Sequence, residues 1–122
     1  MAIDYVNEVT CSMNVSNLDG SITWYENVLG FSLIYRVEEI QWAEMKTGAE
    51  NANLGLGASE KVTKGGGAIP TWTVCDIEAA KSHLDAHDVK QDGDIQTIPD
   101  MVRLLTFYDP DGNAHMFAQS LV

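Results

Sequence analysis

The sequence predicts an α+β protein built from two tandem βαβββ modules. Two pairs of matching segments support this prediction. Residues 15–18 (Val-Ser-Asn-Leu) match residues 74–77 (Val-Cys-Asp-Ile), 59 positions later, as a strand end followed by a capping residue and an apolar residue. Residues 51–54 (Asn-Ala-Asn-Leu) match residues 113–116 (Asn-Ala-His-Met) at a spacing of 62. Because both matches occur in the same order at nearly the same spacing, the chain should contain two copies of one unit.

The composition is that of a single acidic globular domain. The chain has 122 residues, of which 18 are Asp or Glu and 7 are Lys or Arg, so its formal net charge is -11. The 45% hydrophobic content is enough for a core, which predicts one domain spanning residues 1–122. The few basic residues are scattered, whereas binding to nucleic acid or to an anionic membrane requires a basic face. Both partners are therefore excluded, and a small molecule is predicted instead.

The cysteines and the N-terminus predict a cytoplasmic protein. Cys11 and Cys75 fit neither a disulfide framework nor a CxxC site, so both are predicted to be free, buried thiols. Asp4 lies where a signal peptide would carry lysines, and no apolar run is long enough to span a bilayer.

The first module, residues 5–58, begins with a strand and a helix. Residues 8–15 alternate between apolar and polar side chains, which predicts a half-buried strand. Asn17 is the predicted N-cap of a helix, and Gly30 is predicted to end it in the left-handed conformation. Apolar residues recur between them at helical spacing, at Leu18, Ile22, Tyr25 and Leu29.

Three further strands complete the first module, and a linker follows them. The strands are predicted at residues 31–39, 41–47 and 53–57. Residues 59–67 contain three consecutive glycines, which is typical of a linker. A phosphate-binding glycine loop is the alternative, but no Gly-Lys-Ser/Thr ending and no helix follow these glycines.

The second module, residues 68–121, repeats the order of the first. A strand is predicted at residues 68–74, and Asp76 should cap a helix that turns Ile77, Ala80 and Leu84 inward. A short strand at residues 95–98 precedes a hairpin. Its strands, residues 101–108 and 113–120, are joined by an Asp-Pro-Asp-Gly sequence that suits a type I turn.

Three segments carry a resemblance to a known family. Residues 15–25, residues 28–31 (Val-Leu-Gly-Phe) and residues 107–113 (Phe-Tyr-Asp-Pro-Asp-Gly-Asn) resemble the glyoxalase/bleomycin resistance protein/dioxygenase superfamily, also called the vicinal oxygen chelate superfamily. The resemblance covers nearly the whole chain. It implies two βαβββ modules forming a curved sheet around a cleft, and a homodimer. It does not define a function, because the superfamily contains lyases, epimerases, dioxygenases, thiol transferases and binding proteins without catalysis.

The metal positions of the family carry no hard ligand in this chain. The resemblance and the repeat alignment place these positions at Thr10, Leu54, Ile69 and Met116. Iron, manganese, nickel and zinc prefer imidazole and carboxylate ligands in such sites. Moving each position by one residue brings in Cys11, Asn53, Pro70 and His115, which is hardly better. No cofactor and no metal are therefore predicted, and whether the protein is an enzyme stays open.

The histidines offer only weak alternatives. His83 and His87 are four residues apart on the second predicted helix, a spacing that can chelate a metal, but neither an HExxH pattern nor a third ligand accompanies them. A solvated helix face is the favoured interpretation. His115 lies between apolar neighbours, which favours a structural histidine over a catalytic base.

Strand alternation and the resemblance together predict a ligand-binding cleft. The polar side chains of the first strand should face the cleft. In each of the other strands, the alternate residues on the same face of the sheet should face it as well. Trp42 and Glu44 would offer a flat or cationic ligand a stacking surface together with a counter-charge. The predicted ligand-binding residues are Thr10, Ser12, Asn14, Trp42, Glu44, Leu54, Leu56, Thr71, Thr106, Tyr108 and Met116.

Three functions are consistent with these observations. The favoured one is a metal-independent binding protein that resembles bleomycin-resistance proteins and sequesters an apolar or aromatic compound, with or without a positive charge. The second is a glyoxalase-like lyase, isomerase or dioxygenase, with metal ligands at other positions or with acid–base chemistry from Glu44, His115 or Tyr108. The third is an interaction domain that binds no ligand and whose role is to dimerise.

Overall fold

The structure, a computed structural model, describes residues 4, 6–59 and 69–122. The chain divides into two compact units, Met1–Lys61 and Val62–Val122. Most of the linker predicted at residues 59–67 lies outside the described residues.

The first unit is a four-stranded mixed sheet with one face covered by a helix. The strands occur in the order β1-β4-β3-β2, with β1 parallel to β4 and the other pairs antiparallel. The elements of this unit are β1 (Val9–Val15), α1 (Leu18–Trp24), a π-helical turn (Tyr25–Leu29), β2 (Ser32–Val37), a 3₁₀ turn (Glu38–Ile40), β3 (Trp42–Lys46) and β4 (Ala52–Ala58).

The second unit repeats this arrangement. Its strand order is β5-β8-β7-β6, again with a parallel pair between the first and last strands. Its elements are β5 (Thr71–Thr73), α2 (Ile77–Ala86), β6 (Gln96–Ile98), β7 (Val102–Tyr108) and β8 (Ala114–Ser120). The identical strand order in both units confirms the predicted α+β class and the tandem βαβββ repeat.

Local sequence signals account for the helix boundaries. The Asn17 side chain accepts a hydrogen bond from the backbone N–H of Gly20 at 3.1 Å, and the Asp76 side chain accepts from Glu78 and Ala79. These side chains satisfy backbone donors that have no partner within the helix. Gly30 has φ 73°, the left-handed conformation that glycine adopts without steric cost.

The predicted hairpin turn is held by one buried carboxylate. Asp109 accepts hydrogen bonds from the backbone N–H groups of Asp111 and Asn113, and also from the Asn113 side chain. The backbone N–H of Gly112 donates to the Asp109 carbonyl at 3.0 Å, the bond that defines a β-turn.

The first strand of the second unit is shorter than predicted, and the prediction for the two cysteines is wrong. Within residues 69–74, β5 spans only Thr71–Thr73, because Pro70 has no N–H to donate to a sheet, and residue 68 of the predicted strand lies outside the described residues. Cys75 is exposed and Cys11 is half-buried, so neither is the fully buried thiol that was predicted. Cys75 lies just before the cap of α2, where the chain leaves the sheet.

No helix in the described part of the chain is long and apolar enough to cross a membrane.

Candidate functional site

Each sheet has one face packed on its helix and one open face, and the register of the strands decides which residues share a face. In the first unit, Cys11 lies opposite Leu54 and Met13 opposite Leu56. Leu54 and Leu56 are fully buried, in the core beneath the helix. Their predicted placement in the cleft is therefore wrong.

The error came from the repeat alignment. The spacing of 62 residues equated Leu54 with Met116, but in β8 it is His115 that is fully buried, while Met116 lies on the opposite face. A shift of one residue in a strand moves every side chain to the other face. On the open face, the β4 neighbour of Thr10 is Asn53.

We define the open face of the first sheet as the side opposite α1. It carries the predicted residues Thr10, Ser12 and Asn14, which are exposed, and Trp42 and Glu44, which are half-buried. The strand pairings add Asn53, Gly55, Gly57 and Tyr35 to the same face.

The indole of Trp42 lies against the backbone of β4 on this open face. A Cβ atom placed on Gly55 would be 2.1 Å from the Cη2 atom of Trp42, and one on Gly57 would be 3.5 Å from its Cε3 atom. The six-membered ring of the indole therefore covers Gly55, which is buried although it belongs to the open face. Because the two glycines have no side chains, the flat indole ring can lie against the backbone of β4.

The carboxylate of Glu44, two residues from Trp42 on the same face of β3, is held by two hydrogen bonds. Tyr35 Oη donates to Glu44 Oε1 at 3.2 Å, and Asn53 Nδ2 donates to Glu44 Oε2 at 3.1 Å. Asn53 Nδ2 also donates to Glu8 Oε1 at 3.3 Å. Both donors are neutral side chains, and their hydrogen bonds fix the position of the carboxylate.

Sequence reasoning missed Tyr35, Asn53 and Gly55. Their role depends on the pairing of β2, β3 and β4, which no local pattern reveals. One signal was available: Gly55 and Gly57 alternate with leucines in β4, and glycine inside a strand often marks the close approach of another group.

The open face of the second sheet contains the other predicted ligand-binding residues. Met116 pairs with both Thr71 and Thr106, and Tyr108 pairs with Ala114, so Thr71, Thr106, Tyr108 and Met116 share one face. The Lys90 ammonium lies 5.7 Å from the centre of the Tyr108 ring, within the range of a cation–π contact. This face combines hydroxyl groups, a thioether and an aromatic ring.

His115 lies in the core of the second unit. It is fully buried, its ring stacks on Phe107 at 5.3 Å between centroids, and its Nδ1 accepts a hydrogen bond from Trp72 Nε1 at 3.1 Å. Burial lowers the pKa of His115 from 6.5 to about 4, because the charged form loses its hydration. At neutral pH the imidazole is uncharged, as a structural histidine requires.

His83 of α2 and His87, the C-cap residue of that helix, are both exposed, and their ring centroids are 4.5 Å apart. Among the described residues, no group of three or more His, Cys, Asp or Glu side chains is arranged to hold a metal ion.

Paired βαβββ units, each with a mixed sheet that leaves one face open, define a glyoxalase-type fold. The chain belongs to the Glyoxalase/Bleomycin resistance protein/Dioxygenase superfamily, whose family model matches residues 3–117. No functionally curated protein matches the chain.

Solved structures show the same fold at low sequence identity. A member of this superfamily from Sphaerobacter thermophilus is 22% identical, with a TM-score of 0.81, and the match covers 98% of this chain and 100% of that one. TnmS3, an antibiotic binding protein from Streptomyces sp. CB03234, is 24% identical, with a TM-score of 0.77 and coverage of 98% of each chain. FosX, a fosfomycin resistance protein from Listeria monocytogenes solved with Mn(II), is 11% identical, with a TM-score of 0.80 and coverage of 97% and 93%.

Proposed function

We propose that this protein is a metal-independent binding protein that sequesters a flat aromatic cation. The observation that carries the proposal is the pairing of Trp42 and Glu44 on the open face of the first sheet. The indole offers a stacking surface, and the carboxylate beside it offers a counter-charge. The likeness to an antibiotic binding protein is consistent with this function.

Contacts within the protein hold both groups in place. Trp42 rests on the backbone at Gly55 and Gly57, and Glu44 accepts hydrogen bonds from Tyr35 and Asn53. Side chains that are ordered before binding lose little conformational entropy when a ligand arrives. A cation over an indole gains about 0.5–2 kcal/mol, and the net charge of -11 attracts cations to the protein.

The open face of the second sheet is a further part of the proposal. Thr71 and Thr106 would offer hydroxyl groups to a ligand, and Met116 and Tyr108 would offer polarisable contact area.

A pair of matched ligands tests the proposal. At pH 7.5, 9-aminoacridine is a flat cation, whereas acridine has nearly the same shape without the charge. We expect saturable binding of 9-aminoacridine in the micromolar range by equilibrium dialysis, unchanged by EDTA, and weaker binding of acridine. Glu44→Gln should lower the affinity for 9-aminoacridine about fivefold and leave the affinity for acridine nearly unchanged, because the substitution removes only the charge of the side chain.

Glu39→Gln is the matched control, since Glu39 is an exposed carboxylate in the 3₁₀ turn. It should bind both ligands like the wild type. Absence of saturable binding, or an equal effect of the two substitutions, would contradict the proposal. Loss of binding in EDTA would contradict metal independence.

We also propose that the protein is a homodimer. The edge strand β2 exposes Leu33, Ile34 and Tyr35, apolar side chains that a partner could cover. Sedimentation velocity at micromolar concentrations should give twice the chain mass of 13.4 kDa. Ile34→Glu should shift the protein toward the monomer, because a charge would be buried in the interface. A single 13.4 kDa species in the wild type would refute the dimer.

A further inference from the structure

We propose that Gly55 is the positioning residue of the Trp42 stacking surface. Its missing side chain lets the indole lie down on the sheet, and this orientation selects ligands with a flat ring. The inference rests on the proposed function and names the residue that shapes the site.

A side chain at residue 55 would clash with the indole of Trp42. An ideal Cβ at Gly55 would lie 2.1 Å from Cη2 and 2.4 Å from Cζ2 of Trp42. Carbon atoms in contact are normally separated by about 3.5–4.0 Å. Even the smallest side chain at residue 55 would therefore force the indole away from β4.

Backbone conformation does not explain this glycine. The glycines with positive φ are Gly30, Gly93 and Gly112 among the described residues, so Gly55 has a backbone that alanine could adopt. Glycine inside a strand weakens the strand, because it has no side chain to pack and loses more entropy on folding. Contact with the indole is the local reason for a glycine at this position.

Gly57 provides an internal comparison. It lies two residues further along β4 on the same face, and a Cβ there would be 3.5 Å and 3.8 Å from the nearest indole atoms. These are ordinary contact distances. Alanine should therefore displace the indole when it replaces Gly55 and leave the indole in place when it replaces Gly57.

Displacing the indole would also separate it from the carboxylate. Glu44 is the direct pairing partner of Gly55, and Trp42 is the partner of Gly57. An indole forced off Gly55 must tilt away from the position next to Glu44. A ring stacked on the tilted indole would no longer place its charge at that carboxylate.

The test compares Gly55→Ala and Gly57→Ala, each with Trp42 present and with Trp42→Phe. Phenylalanine lacks the Cη2 and Cζ2 atoms that would clash, so it should remove the effect of the alanine at residue 55. With Trp42 present, Gly55→Ala should lower the affinity for both 9-aminoacridine and acridine about tenfold, since stacking on the indole is lost whatever the charge of the ligand. Gly57→Ala should change either affinity less than twofold.

The Trp42→Phe background distinguishes a clash with the indole from a general loss of stability in Gly55→Ala. In the Trp42→Phe background, Gly55→Ala should change affinity less than twofold, because coupling exists only between groups in contact. An equal loss in both backgrounds would show that Gly55 does not act through the indole and would overturn the proposal. Wild-type affinity in Gly55→Ala would overturn it as well.

A measurement without ligand keeps the inference distinct from the proposed function. Acrylamide quenching of tryptophan fluorescence should increase in Gly55→Ala but not in Gly57→Ala, and the increase should vanish when Trp42 is phenylalanine. If the wild type binds neither ligand, the proposed function fails, while quenching still decides whether Gly55 positions the indole. Unchanged quenching in Gly55→Ala would overturn the positioning role.

Discussion

Lowering the pH from 7 to 5 is expected to reduce the free energy of unfolding by about 2 kcal/mol through His115 alone. The imidazole is fully buried against Phe107 and accepts a hydrogen bond from Trp72 at 3.1 Å. Burial lowers its pKa from 6.5 to about 4 in the folded protein. Both its burial and its role as a hydrogen-bond acceptor favour the neutral form.

The sign follows from which state binds more protons. Between pH 6.5 and about 4, the unfolded chain protonates His115 while the folded protein does not. Stability therefore falls as the pH decreases through this window and is fully present above it. Below about pH 4 both states are protonated, and the loss stops increasing.

Urea denaturation at intervals from pH 7 to pH 5 measures this effect. His115→Asn keeps an acceptor near the Trp72 N–H but does not titrate, so the free energy of unfolding of this variant should lose most of its slope with pH in this window. His87→Asn is the control, because it removes an exposed imidazole and should keep the wild-type slope. An NMR titration of the imidazole of His115 gives a second measurement if His115→Asn does not fold. A pKa near 6.5 for His115 would contradict the prediction.

Leu54→Ala is expected to destabilise the protein by about 3 kcal/mol. Leu54 is fully buried between Cys11 of β1 and Met45 of β3, its neighbours across the sheet. Removing three carbon atoms there loses their transfer free energy and leaves a cavity. A residue in a ligand-binding cleft would show almost no stability loss and a large loss of affinity instead.

Ser12→Ala is the matched control on the open face of the same sheet, where the side chain is exposed. Its free energy of unfolding should stay within about 0.5 kcal/mol of the wild type. Urea denaturation of both variants decides which face is the core. Leu54→Val gives a smaller version of the same loss if the alanine variant does not fold, and a loss below about 0.5 kcal/mol for Leu54→Ala would contradict the assignment.

Much of the fold could be predicted because its signals are local. Asn17 and Asp76 cap their helices, Gly30 ends the first helical segment, and the Asp109 turn closes the hairpin through bonds between neighbouring residues. Each of these features depends on residues that are close in sequence. The two matching segments then extended the local assignments to a repeated βαβββ unit.

The candidate site was predictable only in part. Strand periodicity placed Trp42 and Glu44 on one face, because alternate residues of one strand must share a side. It could not show that the indole lies on Gly55 or that Tyr35 and Asn53 hold the carboxylate. These contacts join strands whose register is set by pairing across the sheet.

The amino-acid sequence by itself determined the class of fold, the helix ends, the hairpin turn and the pairing of an aromatic ring with a carboxylate on β3. The tertiary structure decided which face of β4 is buried, and therefore that Leu54 and Leu56 belong to the core while Asn53 and Gly55 belong to the open face. The physical reason is the period of two in a strand. A shift of one residue leaves the local sequence pattern equally acceptable, yet it exchanges the buried face of the strand and its open face. Only packing against α1 distinguishes the two registers.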